Sequence, residues 1–279
     1  MKLVLMAADY GMLDCLTDGQ LKAFRFGMLK NITFITNNQS AFRAAEELKK
    51  FPEISVGQEI NFVSGWPITD PKLIPSLVNE DGSFKSSKQR QAAKNRVFNY
   101  DECVIECENQ LQRFIQLMGK KPLWLSGHSY GSLDSRKAIA DVAKKYDLPC
   151  SLGADEGLFQ AERPWDKPIA GDKAAYKAEM QKDIDVVDDI VNNRTGVLEH
   201  EWACLHTHSG YVDEELMKIS SYTVIRSKEL EAMCSPKVKE WAEKNGVEFA
   251  TMEEYLETHE IDKEASYIKM VTPQKGWAN

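Results

Sequence analysis

Short apolar runs alternate along this chain with longer amphipathic ones, and that alternation restricts the possible folds more than any other feature. Strand-length runs read as Leu3–Ala7, Ile32–Thr36, Ser55–Phe62, Leu123–Ser126, Cys150–Gly153, Trp202–His206, Ser221–Ile225 and Val247–Ala250. Between them, apolar residues recur at three- and four-residue spacing over Thr17–Phe26, Ala41–Lys50, Asp101–Met118, Ser135–Lys145, Lys173–Asn192 and Pro236–Asn245, which predicts helices. Parallel strands need a crossover, usually a helix, to return the chain to the same end of the sheet. The pattern therefore predicts an α/β chain built as a TIM-like (β/α) barrel, or as an irregular or seven-stranded relative of one. Gly27, Gly119 and Gly246 stand where helices should end.

The chain has 279 residues, of which 43% are hydrophobic and 28% charged, so residues 1–279 can share one core as a single domain. Residues 65–99, with three prolines and a Glu80-Asp81-Gly82-Ser83 turn, read as a long loop or lid, and residues 256–279 as a C-terminal tail. A formal charge of −8 gives no basic footprint for nucleic acid. No apolar run approaches the roughly 20 residues that cross a bilayer, and Leu3–Ala8 is too short for a signal-peptide core, so neither a membrane nor export is expected. Six dispersed cysteines without a CxxC pair read as reduced thiols in a cytoplasm. Cys103 and Cys107, four apart on a predicted helix, read as a shared buried face.

In a parallel α/β sheet, chemistry collects beyond the carboxyl ends of the strands. Asp9 follows the first strand, Glu59 lies in the third, His128 follows Leu125-Ser126-Gly127, and His206 and His208 end Trp202–His208. Taken singly, each has a bland reading as a turn cap, an outward strand residue or a packed histidine. Taken together, carboxylates and imidazoles from different strands are oxygen and nitrogen donors for a divalent cation, with positions left for water and substrate. His200 precedes its strand, and His259, in a charged tail, reads as solvent-exposed.

At these same residues the chain resembles the YdjC-like carbohydrate deacetylases, which include chito-oligosaccharide deacetylases. The resemblance runs from Lys2 to about residue 255. It rests on Ala7-Ala8-Asp9-Tyr10-Gly11, Gly57-Gln58-Glu59-Ile60, Ser126-Gly127-His128-Ser129-Tyr130 and Thr207-His208-Ser209-Gly210-Tyr211, and on the C-terminal pattern Ser220-Ser221-Tyr222-Thr223, Arg226-x2-Glu229-Leu230, Ser235-Pro236. It implies a fold of the polysaccharide-deacetylase-like type, association as a small homo-oligomer, and a metal held by Asp9, Glu59 and His128. Glu59 stands where the family has His, and a second carboxylate favours Mg²⁺ or Mn²⁺ over Zn²⁺. Ala8 stands where the family has the Asp expected to act as general base, and a methyl group cannot take a proton.

The function implied is a metal-dependent hydrolase that removes an acetyl group from an N-acetylated amino-sugar or small oligosaccharide. His208 would protonate the leaving amine, and Glu59 is also a candidate for the vacant base. Two alternatives stay open: a diverged member acting on another sugar bond, and a non-catalytic carbohydrate-binding protein. Trp66, Tyr130 and Trp165 are the candidates for stacking on a sugar ring, with core packing or loop anchoring the competing role for each.

Overall fold

The computed structural model describes residues 1–93, 98–150, 157–166 and 181–272. Seven strands are present among them: β1 (Lys2–Tyr10), β2 (Asn31–Phe34), β3 (Ser55–Ile60), β4 (Leu125–Gly127), β5 (Phe159–Gln160), β6 (Trp202–Thr207) and β7 (Glu248–Phe249). They form one sheet in the order β4-β3-β2-β1-β6-β5, with β7 also paired to β1, and every pairing is parallel. A further parallel bridge joins Leu125 to Cys150, carrying the sheet one position beyond β4. This is the irregular, seven-stranded α/β form of the expected barrel. β1 is buried along Leu3–Tyr10, as a central parallel strand covered on both faces must be.

The helices are α1 (Asp14–Phe26), α2 (Ser40–Leu48), α3 (Ser87–Ala92), α4 (Tyr100–Met118), α5 (Leu133–Lys145), α6 (Val186–Val191), α7 (Glu214–Ile219), α8 (Val224–Met233), α9 (Pro236–Lys244), α10 (Met252–Thr258) and α11 (Lys263–Val271). None is long and apolar enough to cross a membrane. Local chemistry sets several boundaries. Asn99 caps α4 by accepting from the Glu102 N–H, and Gly119 ends it at φ +71. Ser132 with Ser135, and Thr251 with Glu254, form capping boxes at α5 and α10.

Several sequence expectations need correction. Ser221–Ile225 is not a strand: its β-branched residues lead straight into α8, and no sheet edge is paired with it. Gly27 ends α1 as expected, though in an extended conformation in which an added Cβ would meet the Met233 carbonyl oxygen. Residues 151–153 and 173–180 of the expected fifth strand and fifth helix lie outside the described residues. Residues 256–272 are largely helical, and α11 buries Ser266, Tyr267 and Met270 against α5. His259 is only half-exposed, its ring stacked on Tyr255 at 4.2 Å and edge-on to Trp202.

A buried polar network ties α4 to β3 and to the 65–99 segment. The Gln110 carbonyl accepts from Gln58 Nε2 (2.7 Å) and Thr36 Oγ1 (3.1 Å), while Gln110 Nε2 donates to the Asn61 carbonyl (2.6 Å) and to Glu106 (2.8 Å). Glu106 also accepts the Ile68 and Thr69 N–H groups. Residues after Trp66 are thus anchored rather than loose, with Ile74, Leu77, Val78 and Phe84 buried. Cys103 and Cys107 share the buried face of α4, and all six cysteines are free thiols.

Two glycines separate backbone strain from crowding. Gly119 (φ +71) has open space around a hypothetical Cβ, whereas at Gly11 (φ +78) that atom would fall 2.3 Å from the Phe34 ring. Chemical denaturation should show Gly119→Ala costing about 1 kcal/mol and Gly11→Ala clearly more, about 2–4 kcal/mol. Equal costs would mean that Phe34 yields freely.

Candidate metal centre

The site begins with an irregularity in β1. Ala7 pairs with Ile32 and Tyr10 with Phe34, so three steps along β1 match two along β2. That is a bulge, a device that re-aims a side chain beside an active site. Asp9 sits in it at φ +66, a left-handed conformation that non-glycine residues rarely adopt. Freed from the ladder, its N–H donates to Glu59 Oε2 at 3.2 Å. The bulge therefore carries Asp9 toward the strand that holds the next donor.

Alternation along β3 turns Gln58 toward α4 and Glu59 to the other face. Thr33 of β2, lying between β1 and β3, donates its hydroxyl to Glu59 Oε2 at 2.6 Å. Two donors thus occupy Oε2, while Oε1 lies 3.0 Å from His128 Nδ1. His128 follows β4 directly, where its N–H donates to the Ile60 carbonyl at 2.8 Å. Its Nδ1 also lies 3.1 Å from Asp9 Oδ1, and Arg226 Nη1 lies 2.7 Å from Asp9 Oδ2.

Asp9, Glu59 and His128 each bring one donor atom to a common point, all within 4.8 Å of one another. Asp9 is 1% exposed, and neither of its carboxylate oxygens has an aligned hydrogen bond among the described residues despite its charged neighbours. Three ligands of a hard octahedral cation lie about 3.0 Å apart, because metal–oxygen bonds of about 2.1 Å meet near right angles. One nitrogen and two oxygens from rigid strand ends, with Asp9 Oδ1 buried and without an aligned hydrogen bond, fit a divalent ion. The same short distances pair the His128 ring with both carboxylates.

Charges at the centre follow from this packing. Burial alone would lower the His128 pKa, but the Asp9 and Glu59 carboxylates beside it push it up to about 10. Burial would raise Asp9, yet Arg226 first and then His128 and His208 hold it well below the usual carboxylate range. His206 is pushed down to about 4 by burial and by Arg163, and His208 also lies well below its ordinary value, chiefly through burial. Both are neutral imidazoles near pH 7, their rings 5.2 Å apart. His208 Nδ1 is buried without a hydrogen-bond partner.

The structure brings together Asp9, Glu59 and His128, with the charge of Asp9 acting on His208. The aromatic candidates differ among themselves. Trp66 is 56% exposed, with its carbonyl held by Asn37. Tyr130 is half-buried against Phe98. Trp165 is 2% exposed in the core, and its indole donates to Glu229, so it has no free face for a sugar. No sequence pattern marks Thr33, and Arg226 and Glu229 stand in the sequence only as part of the C-terminal family pattern. Arg226 reaches Asp9 because residues 224–226 begin a helix rather than finish a strand.

The folded pKa of His128 lies above its unfolded value, so its protonation contributes stability that is complete below about pH 6.5 and is lost as pH rises through about 10. With a chelator present, the thermal midpoint should fall across that window in the wild type. His128→Asn should flatten the fall. Parallel curves would show that His128 is not proton-linked to folding.

Residues 2–244 match the family model described as YdjC-like protein. The chain is 27% identical over 267 residues to carbohydrate deacetylase 2 of Listeria innocua, covering 94% of this chain and 100% of that protein. It is 28% identical over 250 residues to the carbohydrate deacetylase of Halalkalibacterium halodurans, covering 86% and 98%. Among solved structures it resembles a protein of Enterococcus faecalis V583, provisionally described as a cellobiose-phosphate cleavage protein, with a TM-score of 0.70, 20% identity and coverage of 91% and 98%. It also resembles the Xyl-CE4 domain of a multidomain xylanase from the hindgut metagenome of Trinervitermes trinervoides, at a TM-score of 0.50 and 11% identity over 95% and 94% of the two chains. These likenesses concern the fold alone. With its model spanning residues 2–244, the chain belongs to the YdjC-like protein family.

Proposed function

We propose that this chain is a metal-dependent hydrolase that removes an acetyl group from an N-acetylated amino-sugar or small oligosaccharide. The convergence of Asp9, Glu59 and His128 donor atoms within 4.8 Å carries this reading, in a chain similar along its length to carbohydrate deacetylases. When bound, a divalent cation supplies a Lewis acid for the acetyl carbonyl and acidifies a water.

This chain's residues do the rest. Glu59 Oε2 is occupied by Thr33 and the Asp9 N–H, so Glu59 serves as a one-oxygen ligand and is a poor choice for the base. Ala8, buried and without an ionisable group, offers none. The neutral His208, with its unpartnered Nδ1, begins as a proton acceptor rather than a donor. It takes the proton of the attacking water, whose oxygen bonds to the acetyl carbon, and returns it to the nitrogen as the C–N bond breaks. Acetate and a free amine result. The expected acid role of His208 is therefore its second task. Trp66 supplies an exposed ring for stacking on a sugar.

Acetate release from a panel of N-acetylated sugars, with Mg²⁺, Mn²⁺ and Zn²⁺ supplied in turn, tests this directly. Release should need metal, vanish in Asp9→Asn, and drop about 100-fold or more in His208→Ala. No release from any sugar with any ion, and no difference in Asp9→Asn, would overturn the proposal. The loss of a carboxyl at Ala8 favours a second reading, a non-catalytic carbohydrate-binding protein, which saturable sugar binding without turnover would select. Two carboxylates and one imidazole favour Mg²⁺ or Mn²⁺, so Glu59→His should raise the affinity for Zn²⁺ relative to Mn²⁺ by about tenfold or more. An unchanged ratio in competitive titrations would remove Glu59 from the ligand set.

A further inference from the structure

We infer that Arg226 and Glu229, three residues apart on one face of α8, are positioning residues that set Asp9 to offer a single oxygen and hold His208 by its backbone. The inference rests on the metal-centred reading above.

The Arg226 guanidinium is 5% exposed on its side chain and makes three contacts in three directions. Nη1 lies 2.7 Å from Asp9 Oδ2 and donates to the His208 carbonyl at 3.1 Å, while Nε donates to the Tyr222 carbonyl at 2.8 Å. A planar fork can span such a set, and a lysine ammonium cannot. With Oδ2 committed to Arg226, only Oδ1 of Asp9 faces His128.

Glu229, one turn further on, is wholly buried. Its Oε2 accepts the His208 N–H at 2.7 Å, and its Oε1 accepts the Trp165 indole N–H (3.0 Å) and the Tyr222 hydroxyl (2.9 Å). His208 is therefore gripped on both sides of its backbone, N–H by Glu229 and carbonyl by Arg226. Its ring packs against His206 and Tyr222, each 5.2 Å away between centroids, and its Nδ1 stays without a partner. A peptide clamped at both ends aims an imidazole without using its nitrogens, leaving them free for proton transfer. Gln20 braces the same corner by donating to the Ala8 carbonyl (2.7 Å) and the Ser209 carbonyl (3.1 Å).

Aiming Asp9 and strengthening the metal site pull in opposite directions, which makes the inference testable. A cation beside Asp9 repels a second cation, so Arg226 weakens metal binding while orienting the ligand. A simple strut would support both together. Arg226→Ala, Arg226→Lys and Glu229→Gln are compared with the full-length wild type for Mn²⁺ affinity, from the EPR signal of free Mn²⁺, for acetate release, and for thermal midpoint in chelator. Arg226→Ala should bind Mn²⁺ about three- to tenfold more tightly yet turn over about 100-fold more slowly, with partial rescue by millimolar guanidinium. Arg226→Lys, which keeps the charge, should bind as wild type and turn over about tenfold more slowly, and it serves if the alanine variant does not fold. Glu229→Gln, which touches no ligand, should leave Mn²⁺ affinity alone and lower kcat about tenfold at unchanged KM. Affinity and turnover falling together with the thermal midpoint, or turnover unchanged in Arg226→Lys and Glu229→Gln, would overturn the inference. If the wild type binds Mn²⁺ but releases no acetate, the hydrolase reading fails while the tightening in Arg226→Ala still decides for Arg226, and unchanged affinity there decides against it.

Discussion

Asp9 is a buried carboxylate held between two cations, and the centre depends on keeping it there. Arg226 on one side and His128 on the other offset the desolvation cost of a charge that is 1% exposed. The bulge in β1 delivers the side chain to that position, with a left-handed residue in a central strand as its cost. Everything else in the site is arranged around this carboxylate. Glu59 takes the N–H that the bulge releases, Thr33 fixes Glu59 in turn, and α8 supplies the guanidinium.

The division of labour among oxygens follows. Each carboxylate has one oxygen engaged by the protein and the other turned to His128, so the donor set is one oxygen, one oxygen and one nitrogen from three strand ends. Such a set would hold a divalent ion from one side, and a bound ion would supply Lewis-acid chemistry there. Around it the two histidines of β6 and the loop after it are held neutral by burial, in contrast to His128 between its two carboxylates. The family resemblance implies a histidine at position 59 and a carboxylate at position 8. Here a carboxylate stands at position 59 and a methyl group at position 8.

The alternation of apolar runs made the parallel α/β architecture legible, because burial on both faces leaves continuous apolar strands such as Leu3–Ala8 that no amphipathic helix resembles. Strand-end positions marked Asp9, Glu59, His128, His206 and His208, and the family resemblance singled out the first three as ligands, whose donor atoms lie within 4.8 Å of one another. Local pattern failed where identity depends on three-dimensional register. Ser221–Ile225 has strand-forming residues, yet Val224 and Ile225 open a helix whose Arg226 and Glu229 meet Asp9 and His208. Trp165 has two readings, stacking on a sugar or packing in the core, and the buried carboxylate that its indole meets is revealed by no local pattern. The bulge was likewise invisible: Asp9 at φ +66 reflects a mismatch with β2, not a residue preference.

Anomalous diffraction at the manganese edge, from crystals grown with Mn²⁺, tests the central claim most directly. One strong peak about 2.2 Å from Asp9 Oδ1, Glu59 Oε1 and His128 Nδ1, with Arg226 still on Asp9 Oδ2, is the predicted result. Density that shows no ion at this point, with His128 still paired to both carboxylates at saturating Mn²⁺, would contradict it.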